Sequence, residues 1–390
     1  MTVWVWLLDV SAAAGVVFCL YSLWALRGTH SPRFLEDVQP DDTPLPSLTV
    51  VVPACNEENR IAEAVRSLLT QTYPSLQVIA VDDRSTDRTG EILDKIAYDD
   101  SRLEVIHIHS LPQGWLGKPH ALQAGLEHAS GKWALFTDGD VIFEPDVLRR
   151  AMFYALCTGV DHLVVFPRPE TERLSERIVT SVFGLLLAIR QELGGVEDPK
   201  SKGHVGAGAF NLVHREALDS IGGLKPLRLE IVEDIELGRR IKHHGFRQTF
   251  LYSHTLLHLR WQVGVSGFVG GLTKNAFAAN KFSVGLTLMQ IGAVILTNVL
   301  APLSILSPTG WAKLCAVPIW IFLFGSYTIS QRINGTPVWT ALFHPLGALV
   351  VVYTMLRSML HTLWQGGVQW RGTFYPLDML RSGIGSYQKR

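Results

Sequence analysis

The chain has 390 residues, of which 47% are hydrophobic and only 18% are charged, and its 35 basic side chains balance its 35 acidic ones. The zero net charge argues against a nucleic-acid-binding protein, which would carry a basic excess. Length and apolar content together predict a globular domain joined to membrane segments. The four cysteines show no Cys-x-x-Cys spacing, so neither a disulfide framework nor a zinc site is indicated.

The amino-terminal stretch Val3–Leu26 is almost continuously apolar and exceeds the about 20 residues that a membrane-spanning helix needs. We expect a transmembrane anchor over residues 1–30. A cleaved signal peptide is the alternative, but no basic region precedes the apolar core. The basic side chains that follow, Arg27 and Arg33 among them, predict that the next part of the chain is cytoplasmic. Residues 31–46, rich in proline and aspartate, are expected to form a linker.

Strand and helix patterns alternate after the linker. Strands are predicted at Leu48–Val52, Leu76–Val81, Leu103–Ile108 and Trp133–Thr137, and helices at Glu57–Leu69, Thr89–Ala97 and Pro119–His128. This alternation predicts an α/β fold with a mostly parallel sheet flanked by helices. In such sheets, ligands bind beyond the carboxyl ends of the strands.

Acidic residues gather at these strand ends. Asp82 and Asp83 close the second strand, and Asp138-Gly139-Asp140 closes the fourth. Side chains two positions apart in a strand share a face, so Asp138 and Asp140 can converge on one cation, and their oxygens favour Mg²⁺ or Mn²⁺. A solvated turn with Asp140 capping the next helix is the alternative. The motifs of P-loop kinases and of Rossmann dehydrogenases are absent, which argues against both classes.

Six segments in this order resemble the membrane-bound family 2 glycosyltransferases of GT-A fold, in particular their carotenoid- and hopanoid-associated members. They are Val51-Val52-Pro53-Ala54-Cys55-Asn56-Glu57, Val81-Asp82-Asp83-Arg84-Ser85-Thr86-Asp87, Gly114-Trp115-Leu116-Gly117-Lys118, Thr137-Asp138-Gly139-Asp140, Gly206-Ala207-Gly208-Ala209-Phe210 and Val232-Glu233-Asp234-Ile235-Glu236-Leu237. The resemblance implies a GT-A glycosyltransferase domain over residues 47–255. It also implies a nucleoside diphosphate sugar as donor and a divalent metal, Mn²⁺ or Mg²⁺, as cofactor.

The same resemblance implies roles for individual residues. The metal contact falls on Asp140, with Asp138 beside it, and Glu233-Asp234 supplies the general base, Asp234. One base and one displacement imply inversion at the anomeric carbon. The residues expected to bind substrates are Pro53, Asn56, Glu57, Asp82, Asp83, Lys118, Asp138, Gly208, Arg260 and Trp261.

Three of these assignments leave alternatives open. Lys118 either adds positive charge near the diphosphate or is a solvent-exposed lysine at a helix start. His204, in the glycine-rich acceptor-side segment, is a site residue or a polar surface residue. Family members often carry Gln or Arg three residues before Arg-Trp, whereas Leu257 precedes Arg260-Trp261 here, which weakens the case for a processive polysaccharide synthase.

The carboxyl-terminal third returns to apolar sequence. Residues 256–283 are expected to form an amphipathic segment at the membrane surface, and residues 284–390 transmembrane helices with a basic tail. Spans are predicted at Val284–Leu306, Trp311–Ile329 and Val338–Leu356. One anchor plus three spans puts the basic tail outside, against the positive-inside tendency, unless one segment is re-entrant.

We therefore expect a multi-pass cell-membrane protein with a cytoplasmic catalytic domain. Its expected activity is an inverting transfer of a single sugar, of hexosyltransferase type, from a nucleoside diphosphate sugar, favouring a UDP-sugar, to a membrane lipid such as a polyisoprenoid or glycolipid precursor. A processive polysaccharide synthase is the first alternative. A non-catalytic membrane binding or transport protein with a GT-A-like domain is the second, although such a domain tends to lose the carboxylates that Asp138, Asp140 and Asp234 retain.

Overall fold

The structure is a computed structural model that describes residues 3–385. Met1 and Thr2 of the predicted anchor, and Lys389 and Arg390 of the predicted basic tail, lie outside the described residues. The chain divides into two compact units, which are treated separately below. Unit 1 comprises residues 1–32, 171–195 and 260–368, and unit 2 comprises residues 33–170, 196–259 and 369–390.

Helices and strands of the described residues are numbered in chain order. The helices are α1 (Val3–Ala25), α2 (Ile61–Leu69), α3 (Thr89–Asp99), α4 (Gly117–His128), α5 (Val147–Thr158), α6 (Leu174–Arg190), α7 (Arg215–Ser220), α8 (Glu233–His243), α9 (Gly264–Thr273), α10 (Asn275–Ala279), α11 (Val284–Val294), α12 (Ala301–Leu303), α13 (Gly310–Asn334), α14 (His344–Gln365) and α15 (Leu377–Gly385). The strands are β1 (Leu48–Ala54), β2 (Leu76–Asp83), β3 (Leu103–Ile108), β4 (Trp133–Phe136), β5 (Ile142–Phe143), β6 (His162–Pro167), β7 (Asn211–His214), β8 (Gln248–Ser253), β9 (Leu257–His258), β10 (Gly367–Trp370) and β11 (Thr373–Pro376).

Unit 2 is built on a seven-stranded sheet in the order β3-β2-β1-β4-β7-β6-β8. Neighbouring strands are parallel except for β7, which is antiparallel to both β4 and β6. The predicted α/β class with a mostly parallel sheet is confirmed. Strand β2 runs two residues further than predicted, so Asp82 and Asp83 occupy its last two positions and point to opposite faces.

Helices cover both faces of the sheet. Val50 and Val52 of β1 pack on one face with residues of α2, α3 and α5, while Val51 packs on the other with residues of α4 and α8. All three valines are fully buried. A strand buried on both faces has a continuous apolar sequence, which explains the pattern of β1. The sheet is therefore a rigid platform whose strand ends carry the polar residues.

Unit 1 is helical and contains four segments long and apolar enough to cross a membrane: Val3–Ala25, Val284–Leu306, Gly310–Asn334 and Val338–Gln365. The apolar helices expected at both ends of the chain are thus present. Its second segment is irregular, with a π-helical turn at Ile295–Leu300 between α11 and α12. A polar side chain inside the first of these helices, Asp9, is paired: its Oδ1 accepts hydrogen bonds from Ser307 Oγ at 3.0 Å and Thr309 Oγ1 at 2.6 Å.

The segment after α14 was not predicted. Residues 369–385 belong to unit 2, although the helix before them belongs to unit 1. Strands β10 and β11 pair as a hairpin, and α15 follows. Tyr375 and Leu380 of this segment are buried. The predicted boundaries at residues 30, 46, 255 and 283 stay predictions.

Candidate active site

A lysine bridges two carboxylates at the carboxyl edge of the sheet. Lys118, in the first turn of α4, places Nζ 2.6 Å from Asp138 Oδ1 and 2.6 Å from Glu233 Oε1. Asp138 follows β4, and Glu233 begins α8, so the bridge joins three separate parts of unit 2. The Lys118 side chain is 22% exposed and that of Glu233 only 5%. The alternative of a solvent-exposed lysine is therefore wrong.

In this bridge, burial and ion pairing have opposite effects on the pKa values of Lys118 and Glu233. Burial alone lowers the pKa of Lys118, but the negative charges of Asp138 and Glu233 outweigh it and hold that pKa well above the usual range. Burial raises the pKa of Glu233, an effect that the ammonium of Lys118 opposes. Removal of the lysine would leave Glu233 as a buried, unpaired acid.

Asp140 is influenced by the negative charges of nearby carboxylates. Burial, followed by the charges of Asp138 and Glu57, raises its pKa to about 6. A bound cation would relieve this repulsion, and two carboxylates fit Mg²⁺ or Mn²⁺, which keep water and substrate phosphate as their other ligands. Within residues 3–385 no group of three or more His, Cys, Asp or Glu side chains is arranged to hold a metal. The protein thus offers two carboxylates, and the remaining ligands would come from water or substrate.

Asp234 follows Glu233 in the first turn of α8 and is half-buried. Its side chain lines a small pocket together with Lys118, Asp138 and Gly208. One carboxylate oxygen, Oδ1, accepts a hydrogen bond from Ile235 N at 2.9 Å. Because Asp234 lines the same pocket as Lys118, its carboxylate could contact a molecule bound there.

Two glycines allow this close packing. A Cβ at Gly208 would lie 2.6 Å from Asp138 Oδ2, and one at Gly206 would lie 2.0 Å from the carbonyl oxygen of Asp234. Any side chain at either position would push a carboxylate or a helix start away from the pocket. The Gly206-Ala207-Gly208 segment is thus required by packing around the candidate site.

The ends of β1 and β2 form the adjoining part of this edge. Asp82 Oδ2 lies 3.1 Å from His107 Nδ1, and Asp82 Oδ1 accepts a hydrogen bond from Ser85 N at 3.3 Å. Asp83 accepts hydrogen bonds from Nε and Nη2 of Arg84 at 2.7 and 2.9 Å. Asn56 Oδ1 accepts from the backbone of the loop after β2, at Thr86 N, 2.8 Å away.

The end of β1 approaches the Asp138–Asp140 turn. A Cβ at Gly139 would lie 3.3 Å from the carbonyl oxygen of Pro53. Glu57, four residues further, forms an ion pair with Arg371 of the turn between β10 and β11. Burial raises the pKa of Glu57, and the charge of Arg371 opposes this rise. Unit 2 therefore brings together Pro53, Asn56, Glu57, Asp82, Asp83, Lys118, Asp138, Asp140, Gly208, Glu233 and Asp234 at one edge of the sheet.

Two of the predicted substrate-binding residues do not belong to unit 2. Arg260 and Trp261 belong to unit 1, where Arg260 pairs with Glu172 at 2.5 Å and Trp261 stacks on Phe183 at 5.5 Å between ring centroids. His204, whose role was left open, lies in unit 2 with Nδ1 3.0 Å from the carbonyl oxygen of Lys202. The functional roles of all these residues stay predictions.

Sequence reasoning missed three residues at this edge. Arg84 was part of a recognised segment, but the ion pair with Asp83 was not foreseen. Tyr375 accepts a hydrogen bond from Gly117 N at 3.1 Å, and Arg371 contacts Glu57 across 314 residues of sequence. Neither periodicity nor a motif in the sequence links these positions.

The profile of the family described as "Glycosyl transferase family 2" matches residues 49–222. This segment is a family 2 glycosyltransferase domain. The match spans β1 to α7, and so includes Asp82, Asp83, Lys118, Asp138 and Asp140, and it ends before Glu233-Asp234. The family and enzyme class expected from the sequence are confirmed.

Relatives of the whole chain belong to the same class of enzyme. The 4,4'-diaponeurosporenoate glycosyltransferase of Staphylococcus aureus strain USA300 is 24% identical over 340 residues, covering 85% of this chain and 89% of the relative. The protein of that name from strain MRSA252 is 25% identical over 345 residues, with the same coverage. The solved structure of the mannosyltransferase PcManGT from Pyrobaculum calidifontis, in complex with GDP-Man and Mn²⁺, has a TM-score of 0.57 at 20% identity and covers 92% of this chain and 98% of its own. This likeness establishes a shared fold.

Proposed function

We propose that the chain is an inverting glycosyltransferase that moves a single sugar from a nucleoside diphosphate sugar to a membrane lipid. One observation carries the proposal: Lys118 joins Asp138 and Glu233 at the edge of the sheet, close in sequence to Asp140 and next to Asp234. We assign cation binding to Asp140 and activation of the acceptor to Asp234.

On the donor side, Asn56, Asp82 and Asp83 bind the base and ribose, to which carboxylate and amide oxygens offer acceptors. Lys118 faces the diphosphate. Asp138 and Asp140 hold Mn²⁺ or Mg²⁺, and such an ion supplies positive charge to the leaving group when it is bound. The GDP-Man and Mn²⁺ complex of PcManGT supports this class of donor and cofactor.

On the acceptor side, Asp234 takes the proton from the attacking hydroxyl, or from an acceptor carboxylic acid, which then attacks as its carboxylate. Lys118 keeps the neighbouring Glu233 charged and fixed, which holds the start of α8 and therefore Asp234 in place. Direct attack on the anomeric carbon, opposite the departing diphosphate, inverts its configuration.

A lipid acceptor is supported by two findings. Four helices of the described residues are apolar and long enough to cross a membrane. The whole-chain relatives are named for 4,4'-diaponeurosporenoate, a carboxylate by its name. The basic side chains after α1 support a cytoplasmic catalytic domain.

The experiment is a transfer assay. Membranes that contain the chain are incubated with Mn²⁺, labelled UDP- and GDP-sugars and a lipid extract, and labelled lipid is separated from the free sugar. We expect a lipid that carries one sugar. Asp234→Asn should reduce its formation by roughly 10²–10⁴-fold, the usual contribution of a general base, while the exposed control Asp99→Asn leaves it unchanged. Equal activity of Asp234→Asn and Asp99→Asn would contradict the assigned role, and a labelled polymer would contradict single-sugar transfer.

A further inference from the structure

The hairpin of β10 and β11 makes three contacts within unit 2 to the edge of the sheet where the donor is proposed to bind. Arg371 pairs with Glu57 in the loop after β1, Thr373 Oγ1 accepts from Arg84 Nη1 at 3.1 Å, and Tyr375 OH accepts from Gly117 N at 3.1 Å. These partners follow β1, follow β2 and begin α4, respectively. The hairpin thus touches each of the three segments proposed to surround the donor's base, ribose and diphosphate.

The turn of this hairpin holds an arginine where glycine or asparagine is favoured. Arg371 and Gly372 are its two central residues, with φ of 47° and 78°. Two positive φ values are typical of the tight turns that suit hairpins, but a non-glycine residue is disfavoured there. Arg371 thus has a backbone conformation that is disfavoured for its residue type and that the surrounding structure holds in place.

Two further non-glycine residues with positive φ lie at the same edge. Asn56 and Arg84 have φ of 56° and 57°. Asn56 precedes Glu57, the partner of Arg371, and Arg84 contacts the hairpin through Thr373. Backbone strain of this kind concentrates at ligand sites, where the surrounding structure holds it in place.

The guanidinium of Arg371 is available to a ligand. Its side chain is 51% exposed, while that of Glu57 is 18% exposed. The close approach of Gly139 to Pro53 places the end of β1, four residues before Glu57, beside the Asp138–Asp140 turn. A diphosphate bound near that turn would therefore lie close to Arg371, whose planar donors match phosphate oxygens.

We propose that Arg371 is a donor-binding residue, which turns from Glu57 to the diphosphate of the nucleotide sugar while Thr373 and Tyr375 hold the hairpin in place. The inference rests on the proposed function and extends the donor site to a segment far outside the family 2 match. The carboxyl-terminal hairpin then contributes a donor-binding residue to unit 2.

The test measures nucleotide binding. Full-length protein in detergent is titrated with UDP, uridine, GDP and guanosine in the presence of Mn²⁺. The variants are Arg371→Gly, Arg371→Lys and, as a matched control in the same hairpin, the exposed Gln369→Ala. Arg371→Gly should weaken binding of the diphosphate that wild type binds by roughly tenfold to hundredfold, the range for a lost charge-assisted contact, and leave its nucleoside unaffected. Arg371→Lys should lose less, and Gln369→Ala nothing.

The glycine variant separates binding from folding. Glycine accepts positive φ without strain, which offsets the loss of the ion pair with Glu57, so Arg371→Gly should melt close to wild type. If it binds the diphosphate as tightly as wild type, or loses the diphosphate and the nucleoside equally, the assignment of Arg371 is overturned while the proposed function stands. If wild type binds neither diphosphate, the proposed function fails and the assignment fails with it.

Discussion

Replacing Lys118 with methionine removes the cation shared by Asp138 and Glu233 but keeps an apolar side chain of similar length. The side chain of Glu233 is 5% exposed, so without Lys118 it must stay charged in a poor environment or take up a proton. Protonation at pH 7 of an acid with an ordinary pKa of about 4.3 costs about 1.36 kcal/mol per pH unit, or about 3.7 kcal/mol. This cost limits the expected loss in unfolding free energy and agrees with the about 3–5 kcal/mol typical of a broken buried pair.

The assay is unfolding of the full chain in detergent, followed from about pH 8 to about pH 5. Loss of the ammonium should raise the folded-state pKa of Glu233 further above its unfolded value than in wild type, so the variant's deficit relative to wild type is largest at high pH. It should shrink as pH falls toward the ordinary glutamate pKa, by up to about 1.4 kcal/mol per unit. Adding Glu233→Gln to the variant should recover most of the loss. A deficit that is independent of pH, or that Glu233→Gln does not reduce, would refute the reasoning.

Two further expectations concern the cation and the topology. Asp140→Asn removes a carboxyl group whose pKa is raised to about 6 by burial and by the charge of Asp138. The metal-free variant should therefore melt at the same temperature as wild type or higher, and the stabilisation that MnCl₂ gives wild type should vanish. A variant that MnCl₂ still stabilises would exclude Asp140 as a ligand. Three apolar segments separate the family 2 domain from the hairpin, yet both lie in unit 2, so we expect an even number of the three to cross the membrane. The thiol introduced by Gln369→Cys should therefore react from the same side of sealed vesicles as the exposed native Cys157, and labelling from opposite sides would contradict this topology.

The alternating pattern predicted the sheet and the position of the site because both depend on local sequence. Strand β3 was predicted at its observed bounds, Leu103–Ile108. Helix α2 begins at Ile61, four residues after the predicted start. Glu57 N donates to Thr89 Oγ1 at 2.8 Å and Glu58 N to Asp87 Oδ2 at 3.1 Å, and these bonds tie the segment before α2 to the loop after β2 and the start of α3. Helical spacing in a sequence does not reveal such tertiary contacts.

Contacts distant in sequence were beyond prediction. The hairpin reaches Gly117 and Arg84 across 258 and 289 residues, and no repeated pattern marks either contact. Lys118 is a similar case. Its sequence context allowed a surface lysine, and only the fold reveals the two carboxylates that surround it. The acidic strand ends could be predicted because each acid directly follows an apolar strand pattern, whereas the basic residues that pair with these acids have no such local pattern.

The most direct measurement is the anomeric configuration of the sugar in the lipid product, determined by proton NMR after transfer from a donor of known α-configuration. Direct displacement with Asp234 as the base gives a β-linked lipid carrying one sugar. An α-linked product would contradict the inverting mechanism, and the absence of any sugar-lipid from UDP- and GDP-sugars would contradict the proposed function.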